Sequence, residues 1–152
     1  MIGGGLGAPF HIGIATPDID ALESVMGTAL GKTWVALPRT TPFHDTPNGP
    51  VRPSSRVCWS TSGPFYVELL RSEAGTVYRP ELGTHLHHLG YWVDDVAGSV
   101  ADAESEGWSL EVTTFDAAGR PSTFAYLSRP GDLWMELIAA TQKPYLEGLL
   151  GG

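Results

Sequence analysis

Phe10-His11-Ile12-Gly13-Ile14 and His87-His88-Leu89-Gly90-Tyr91 are two versions of one stretch, a histidine followed two residues later by a glycine inside an apolar, strand-like run. Each opens one half of the chain. Each half closes on a matching partner, Val67-Glu68-Leu69-Leu70 in the first and Met135-Glu136-Leu137-Ile138 in the second. Laying His11 on His88 also puts Gly13 on Gly90, Asp18 on Asp95 and Ile19 on Val96. A lone polar or charged side chain in an apolar run is costly. A repeated His and Glu in such runs therefore points to a shared partner, and one divalent metal ion is the partner that suits them. A single strand histidine is more often packed core, but packing gives no reason for His and Glu at equivalent places in both halves.

Working outward from His11, Phe10–Ala15 reads as a strand. A helix follows from Pro17 to Leu30, with Thr16 as its cap, Ile19, Leu22, Met26, Ala29 and Leu30 on one face, and Gly31 at its end. Lys32–Leu37, Ser55–Ser60 and Pro64–Leu70 read as strands, the last two joined by a Ser62-Gly63 turn. Between them, Arg39–Pro53 is proline-rich and polar, a long loop of the kind that serves as a lid or binding loop. His44 lies in it, and an exposed histidine is the expectation there. After a polar link, Leu86–Val93 begins the second half. A helix capped by Asp94 or Asp95 carries Val96, Val100 and Ala103 inward, and Ser109–Phe115, Ser122–Ser128 and Leu133–Ala139 are three further strands. Each half is thus strand, helix and three strands, with His-to-Glu separations of 57 residues (11 to 68) and 48 (88 to 136). The longer first loop absorbs the difference, and an internal repeat of this kind is strong evidence of architecture.

The chain has 152 residues, 42% hydrophobic and 17% charged, which fits one ordered domain spanning 1–152. A net charge of −8 with no Lys/Arg cluster argues against a nucleic-acid partner. No stretch is apolar for long enough to cross a membrane, and no signal-peptide pattern opens the chain, so a cytoplasmic protein is expected. The single cysteine, Cys58, has no intrachain disulfide partner and reads as buried structure. The Gly3–Gly7 run has neither the preceding strand nor the Lys-Ser/Thr of a phosphate loop.

Strand side chains alternate faces, so four ligands must come from four strands, and no short-range motif is needed. Two neutral imidazoles and two carboxylates balance a 2+ ion. They suit Zn²⁺, Ni²⁺, Co²⁺, Mn²⁺ or Fe²⁺, and the lack of thiolates argues against a purely structural zinc site. His85 and His87 share one face of an ideal strand and His88 the other. The repeat selects His88 as the ligand and leaves His87 packed or exposed on the outer side. Parity also puts Tyr66, Trp92 and Trp134 on the ligand face, as walls of a substrate pocket. Arg39, Arg52, Arg56 and Arg120 are candidates to hold an anionic substrate.

Taken together, these residues resemble the vicinal oxygen chelate superfamily, which includes glyoxalase I, methylmalonyl-CoA epimerase, extradiol dioxygenases and bleomycin- and fosfomycin-resistance proteins. The resemblance spans about residues 9–140. It rests on the doubled βαβββ order, the His-x-Gly stretches, the Val/Met-Glu-Leu-Leu/Ile stretches and the Arg129-Pro130-Gly131-Asp132 turn before the last strand. It implies an α+β fold with two tandem βαβββ modules, 9–71 and 84–140, forming curved mixed sheets around a shared metal-binding cavity, with 141–152 as a C-terminal tail. The ligand positions it carries over are His11, Glu68, His88 and Glu136; because two histidines and one carboxylate would already hold a metal, Glu136 or Glu68 is also the candidate catalytic base. It further implies a homodimer and a small-molecule substrate that chelates through neighbouring oxygens. The expected activity is a metal-dependent isomerase, epimerase or lyase. An Fe(II) dioxygenase using His11, His88 and Glu136 and a non-enzymatic drug-binding protein are the alternatives.

Overall fold

The computed structural model describes residues 5–38 and 41–151. The first half contains β1 (His11–Thr16), α1 (Ile19–Leu30), β2 (Trp34–Ala36), β3 (Val57–Ser60) and β4 (Tyr66–Arg71). The second contains β5 (His85–Val93), α2 (Val96–Ser105), β6 (Ser109–Phe115), β7 (Pro121–Ser128) and β8 (Trp134–Ala139), and α3 (Lys143–Leu150) follows. The eight strands form one curved mixed sheet in the order β2-β3-β4-β1-β5-β8-β7-β6. Within each half the first and last strands pair in parallel, β1 with β4 and β5 with β8. The halves join through the antiparallel pair β1–β5, so that pair lies at the centre of the sheet.

Alternation along these central strands sorts the side chains. Ile12 and Ile14 of β1 and Val67 and Leu69 of β4 pack with Cys58 against Ile19, Leu22 and Met26 of α1. Met135 and Leu137 of β8 and Tyr91 and Val93 of β5 pack against Val96, Val100 and Ala103 of α2. The helices thus cover one face, and His11, Glu68, His88 and Glu136 fall on the other. The packed stripe of α1 stops at Met26, and Ala29 and Leu30, expected on the same face, are exposed. Asp18, not Thr16, caps α1: its carboxylate accepts from the Ala21 N–H at 3.1 Å, while the Thr16 hydroxyl accepts from the Asp18 N–H one step earlier. Asp95 caps α2 in the same way, accepting from the Gly98 N–H. Strand β2 is three residues long rather than six, although single backbone bonds carry the pairing on at each end, from the Leu37 N–H to the Val57 carbonyl and from the Thr61 N–H to the Thr33 carbonyl.

The C-terminal tail contains α3, whose Leu146 and Leu150 pack with Phe10, Trp59 and Tyr66. The long loop is not free. Its residues 44–51 turn back on themselves around Asn48-Gly49, with His44 bridging Val51. Asp45 exchanges both backbone hydrogen bonds with Thr113 of β6 at 2.9 Å and accepts from the Phe115 N–H through its carboxylate. A segment that leaves β2 at one edge of the sheet therefore straps the opposite edge. No helix is long and apolar enough to cross a membrane among the described residues.

Candidate metal centre

Strand register builds the centre twice. One row across the sheet reads Trp59 (β3), Glu68 (β4), Gly13 (β1), His88 (β5). The other reads Tyr126 (β7), Glu136 (β8), Gly90 (β5), His11 (β1). Each row is aromatic, carboxylate, glycine, histidine, and the two meet on the β1–β5 pair. The glycines are there for space. A Cβ on Gly13 would lie 2.0 Å from Cε1 of His88, and one on Gly90 would lie 1.8 Å from Cε1 of His11. Each strand's glycine hosts the other strand's imidazole, which is the physical content of the His-x-Gly repeat.

The four side chains converge. One ligand atom from each of His11, Glu68, His88 and Glu136 lies within 4.8 Å of the others. The Nε2 atoms of His11 and His88 are 3.0 Å apart. Glu136 Oε2 is 2.9 Å from His11 Nε2 and 3.2 Å from His88 Nε2, and Glu68 Oε2 is 3.1 Å from His88 Nε2 and 3.7 Å from His11 Nε2. Bonds of about 2.1 Å set neighbouring ligand atoms about 3.0 Å apart in an octahedron and about 3.4 Å apart in a tetrahedron. The observed spacings match the edges of such a polyhedron. Both Oε2 atoms, although close to imidazole nitrogens, are too poorly aligned for hydrogen bonds and are buried without a partner among the described residues. With four ligand atoms this close together and both carboxylate oxygens left unpartnered, these four residues fit a single divalent ion.

Electrostatics agrees. Burial opposes charge on His88, but Glu136 and then Glu68 outweigh it and raise the imidazole to about 9. Burial likewise opposes charge on Glu136, yet His88, and then His11, hold its carboxyl well below the ordinary range. The charged forms of His88 and Glu136 thus support each other in a site where both histidines are fully buried.

The centre lies on the wall of a cavity of about 450 Å³, a size suited to a small molecule. Trp59, Tyr78, Trp92, Phe124, Tyr126 and Tyr145 line it, together with Glu68 and Glu136. Of the three aromatics expected there, Trp92 lines the cavity and stacks on Phe10 at 4.0 Å. Tyr66 and Trp134 do share the ligand face but are packed behind it, Tyr66 against Trp59 and Trp134 against His87 and Tyr126. Trp59 and Tyr126, which the sequence reading passed over, take their place: Trp59 lies 4.5 Å from the His11 ring and Tyr126 4.9 Å from the His88 ring. Counting back through the two hairpins from Glu68 and Glu136 would have found both.

Two histidines depart from expectation. His44 is half-buried in the cavity wall rather than exposed, and burial lowers its pKa against the pull of Glu136 and Asp45. His87 is not on the outer side. A β-bulge in β5 pairs Gly13 with His88 but Ile14 with Leu86, so His87 is an extra residue and turns inward beside His88. Burial, with the neighbouring His88 and His85, lowers it to about 3. The arginines have other partners: Arg52 donates to the Ala74 carbonyl, Arg56 to Asp20 and Glu23, and Arg120 to Asp116. None of these three lines the cavity, and Arg39 lies outside the described residues.

Residues 10–126 match the sequence profile of the Glyoxalase/Bleomycin resistance protein/Dioxygenase superfamily, and the chain belongs to that superfamily. No curated protein sequence gives a significant match. Among solved structures it is similar to methylmalonyl-CoA epimerase from Mycobacterium tuberculosis (17% identity, TM-score 0.63, 93% of each chain covered). A variant of the Streptomyces coelicolor epimerase in complex with 2-nitronate-propionyl-CoA is also similar (20% identity, TM-score 0.62, 89% of this chain and 98% of that one). So is a variant of 4-hydroxymandelate synthase from Streptomyces coelicolor (18% identity, TM-score 0.63, 89% of this chain but 39% of that one). These likenesses establish a fold shared with methylmalonyl-CoA epimerases and with 4-hydroxymandelate synthase.

Proposed function

We propose that the protein is a divalent-metal-dependent isomerase, epimerase or lyase that moves a proton next to a carbonyl in a small molecule carrying two adjacent oxygens. The observation that carries this reading is the second carboxylate. His11, His88 and Glu136 alone would hold an ion, and Glu68 stands in the same cavity as a surplus base. Bound at this centre, a divalent ion would polarise a carbonyl oxygen and stabilise the negative charge that develops beside it. Glu136 touches both imidazole nitrogens and is the fixed ligand. Glu68, 3.7 Å from His11 Nε2, is the looser of the two and the one free to take and return the proton. Trp59 and Tyr126 clamp the ligand rings and exclude water from them.

The cavity also narrows the substrate. With aromatic walls, and with no lysine or arginine among the described lining residues, it favours an apolar body whose oxygen pair is its main polar part. The anionic end of a coenzyme A thioester would find no counter-charge among those described residues. The Fe(II) dioxygenase reading draws on one observation, the closer fit of Glu136 than of Glu68 to the histidine pair.

Metal content of protein purified without chelators is the first measurement. Proton exchange in D₂O is then followed by NMR on a panel of uncharged 2-hydroxyketones, hemithioacetals and a methylmalonyl thioester. Exchange that needs Ni²⁺, Co²⁺, Mn²⁺ or Zn²⁺ and disappears with chelator is expected. Oxygen uptake with a catechol under Fe²⁺, without exchange, would replace this reading with ring cleavage. Ligand binding by metal-free protein without turnover would replace it with a binding protein.

A further inference from the structure

The two ligand histidines are held differently. Nδ1 of His11 is buried without a hydrogen-bond partner among the described residues, and its ring is fixed by packing, with Phe10 and Trp59 each 4.5 Å away. Nδ1 of His88 lies 2.9 Å from Nδ1 of His87. In the repeat, His87 occupies the place of Phe10. The bulge in β5 has no counterpart described for β1, and it is what brings this extra imidazole inside.

We infer that His87 is a positioning residue for the metal centre: its Nδ1 accepts the hydrogen of His88 Nδ1, which leaves Nε2 of His88 bare and aimed at the ion. The argument rests on the metal reading above and on hydrogen counting. Two ring nitrogens 2.9 Å apart share one hydrogen. If His87 supplied it, the neutral His88 would carry its own hydrogen on Nε2, the atom that faces Glu68, Glu136 and His11. Only the opposite assignment leaves Nε2 of His88 free to bind. His87 then keeps its hydrogen on Nε2, which is buried without a hydrogen-bond partner among the described residues. The rings of Tyr78 at 4.9 Å, Trp134 at 4.8 Å and Tyr126 at 5.6 Å wall His87 in, so it cannot rotate away to meet water. A partner on the far nitrogen both orients a ligating imidazole and makes it a better donor, and its loss typically lowers metal affinity about 10–100-fold.

The test uses the full chain and two substitutions. His87→Phe installs the residue of the other module and removes the acceptor. His87→Asn keeps an acceptor oxygen near the position of Nδ1. Zn²⁺ affinity is measured by titration, fold by thermal melting, and histidine tautomers by ¹⁵N NMR on metal-free and Zn²⁺-loaded protein. The expected result is a folded His87→Phe with affinity reduced about 10–100-fold, recovery in His87→Asn, and His87 carrying its hydrogen on Nε2 in the unsubstituted protein with or without metal. Unchanged affinity in a folded His87→Phe, or a His87 hydrogen on Nδ1, would overturn the positioning role while leaving the metal reading intact. No Zn²⁺ uptake by the unsubstituted protein would overturn the metal reading and this role with it.

Discussion

Alanine at Gly90 would put a methyl carbon 1.8 Å from Cε1 of His11. Carbon atoms rest at about 3.5–4.0 Å, so the ring or the strand must yield by nearly 2 Å. The strand cannot, since β5 is hydrogen-bonded to β1 on one side and β8 on the other. The ring has little room either, with Phe10 and Trp59 each 4.5 Å from it and His88 5.1 Å away. Overpacking of this kind costs about 1–3 kcal/mol, which lowers the melting temperature by about 2–4 °C per kcal/mol in a chain of this size. The metal should suffer more than the fold. A shift of even half that distance carries Nε2 out of reach of a bond of about 2.1 Å. Losing a ligand should exceed the roughly 10–100-fold effect of losing an outer partner. The assay is Co²⁺ titration followed by its visible absorption, with thermal melting of the metal-free protein alongside. Gly148→Ala is the control: nothing lies within 4 Å of its Cβ position in α3. It should gain about 0.5–1 kcal/mol from helix propensity and bind Co²⁺ unchanged. A folded Gly90→Ala that binds Co²⁺ as tightly as the unsubstituted protein would refute the argument that the glycine exists to seat His11.

Glu68→Gln should retain metal but lose proton exchange, whereas Glu136→Gln should lose both; turnover at full rate in either variant, measured by the D₂O assay, removes the role assigned to that residue. Chelator should lower the melting temperature of metal-loaded protein, by about 2.7 kcal/mol of stability when free metal had stood at 100 times its Kd, and added Zn²⁺ or Ni²⁺ should restore it. The Cys58 thiol is 1% exposed and pushed up to about 11, first by burial and then by Glu23. It should therefore resist alkylation in the native protein at pH 8 and react once denaturant is added. Because its folded pKa is raised, the neutral thiol is favoured in the native state, and this contribution should decline as pH climbs from the unfolded value near 9 toward 11, read as a falling denaturant midpoint.

What could be read from residues alone was whatever the repeat wrote twice. The βαβββ order, the full span of β6 at Ser109–Phe115 and the buried face of α2 all follow from periodicity and punctuation. His11, Glu68, His88 and Glu136 come together in space as their doubled placement suggested, since equivalent strands put equivalent side chains on one face. What resisted reading was set by single events outside the repeat. One extra residue in β5 reversed the face of His87, because parity counting assumes an unbroken ladder. Trp59 and Tyr126, by contrast, do stand at equivalent places in both halves, and were missed because finding them takes the cross-strand register of each hairpin and not parity along one strand. The docking of Asp45 on β6 joins segments 68 residues apart, and no local pattern signals it.

That docking has a meaning for how copies of this chain can meet. An open sheet ends in two rows of unpaired backbone groups, which invite another chain to add a strand. Here β2 offers only three residues at one edge, and at the other the Asp45 segment has already taken the backbone groups of Thr113 and the N–H of Phe115 on β6. The protein fills its own vacancy. Strand addition by a second copy is thereby blocked along residues 113–115 of β6, which favours side-chain surfaces, helices or loops for any homodimer the chain forms.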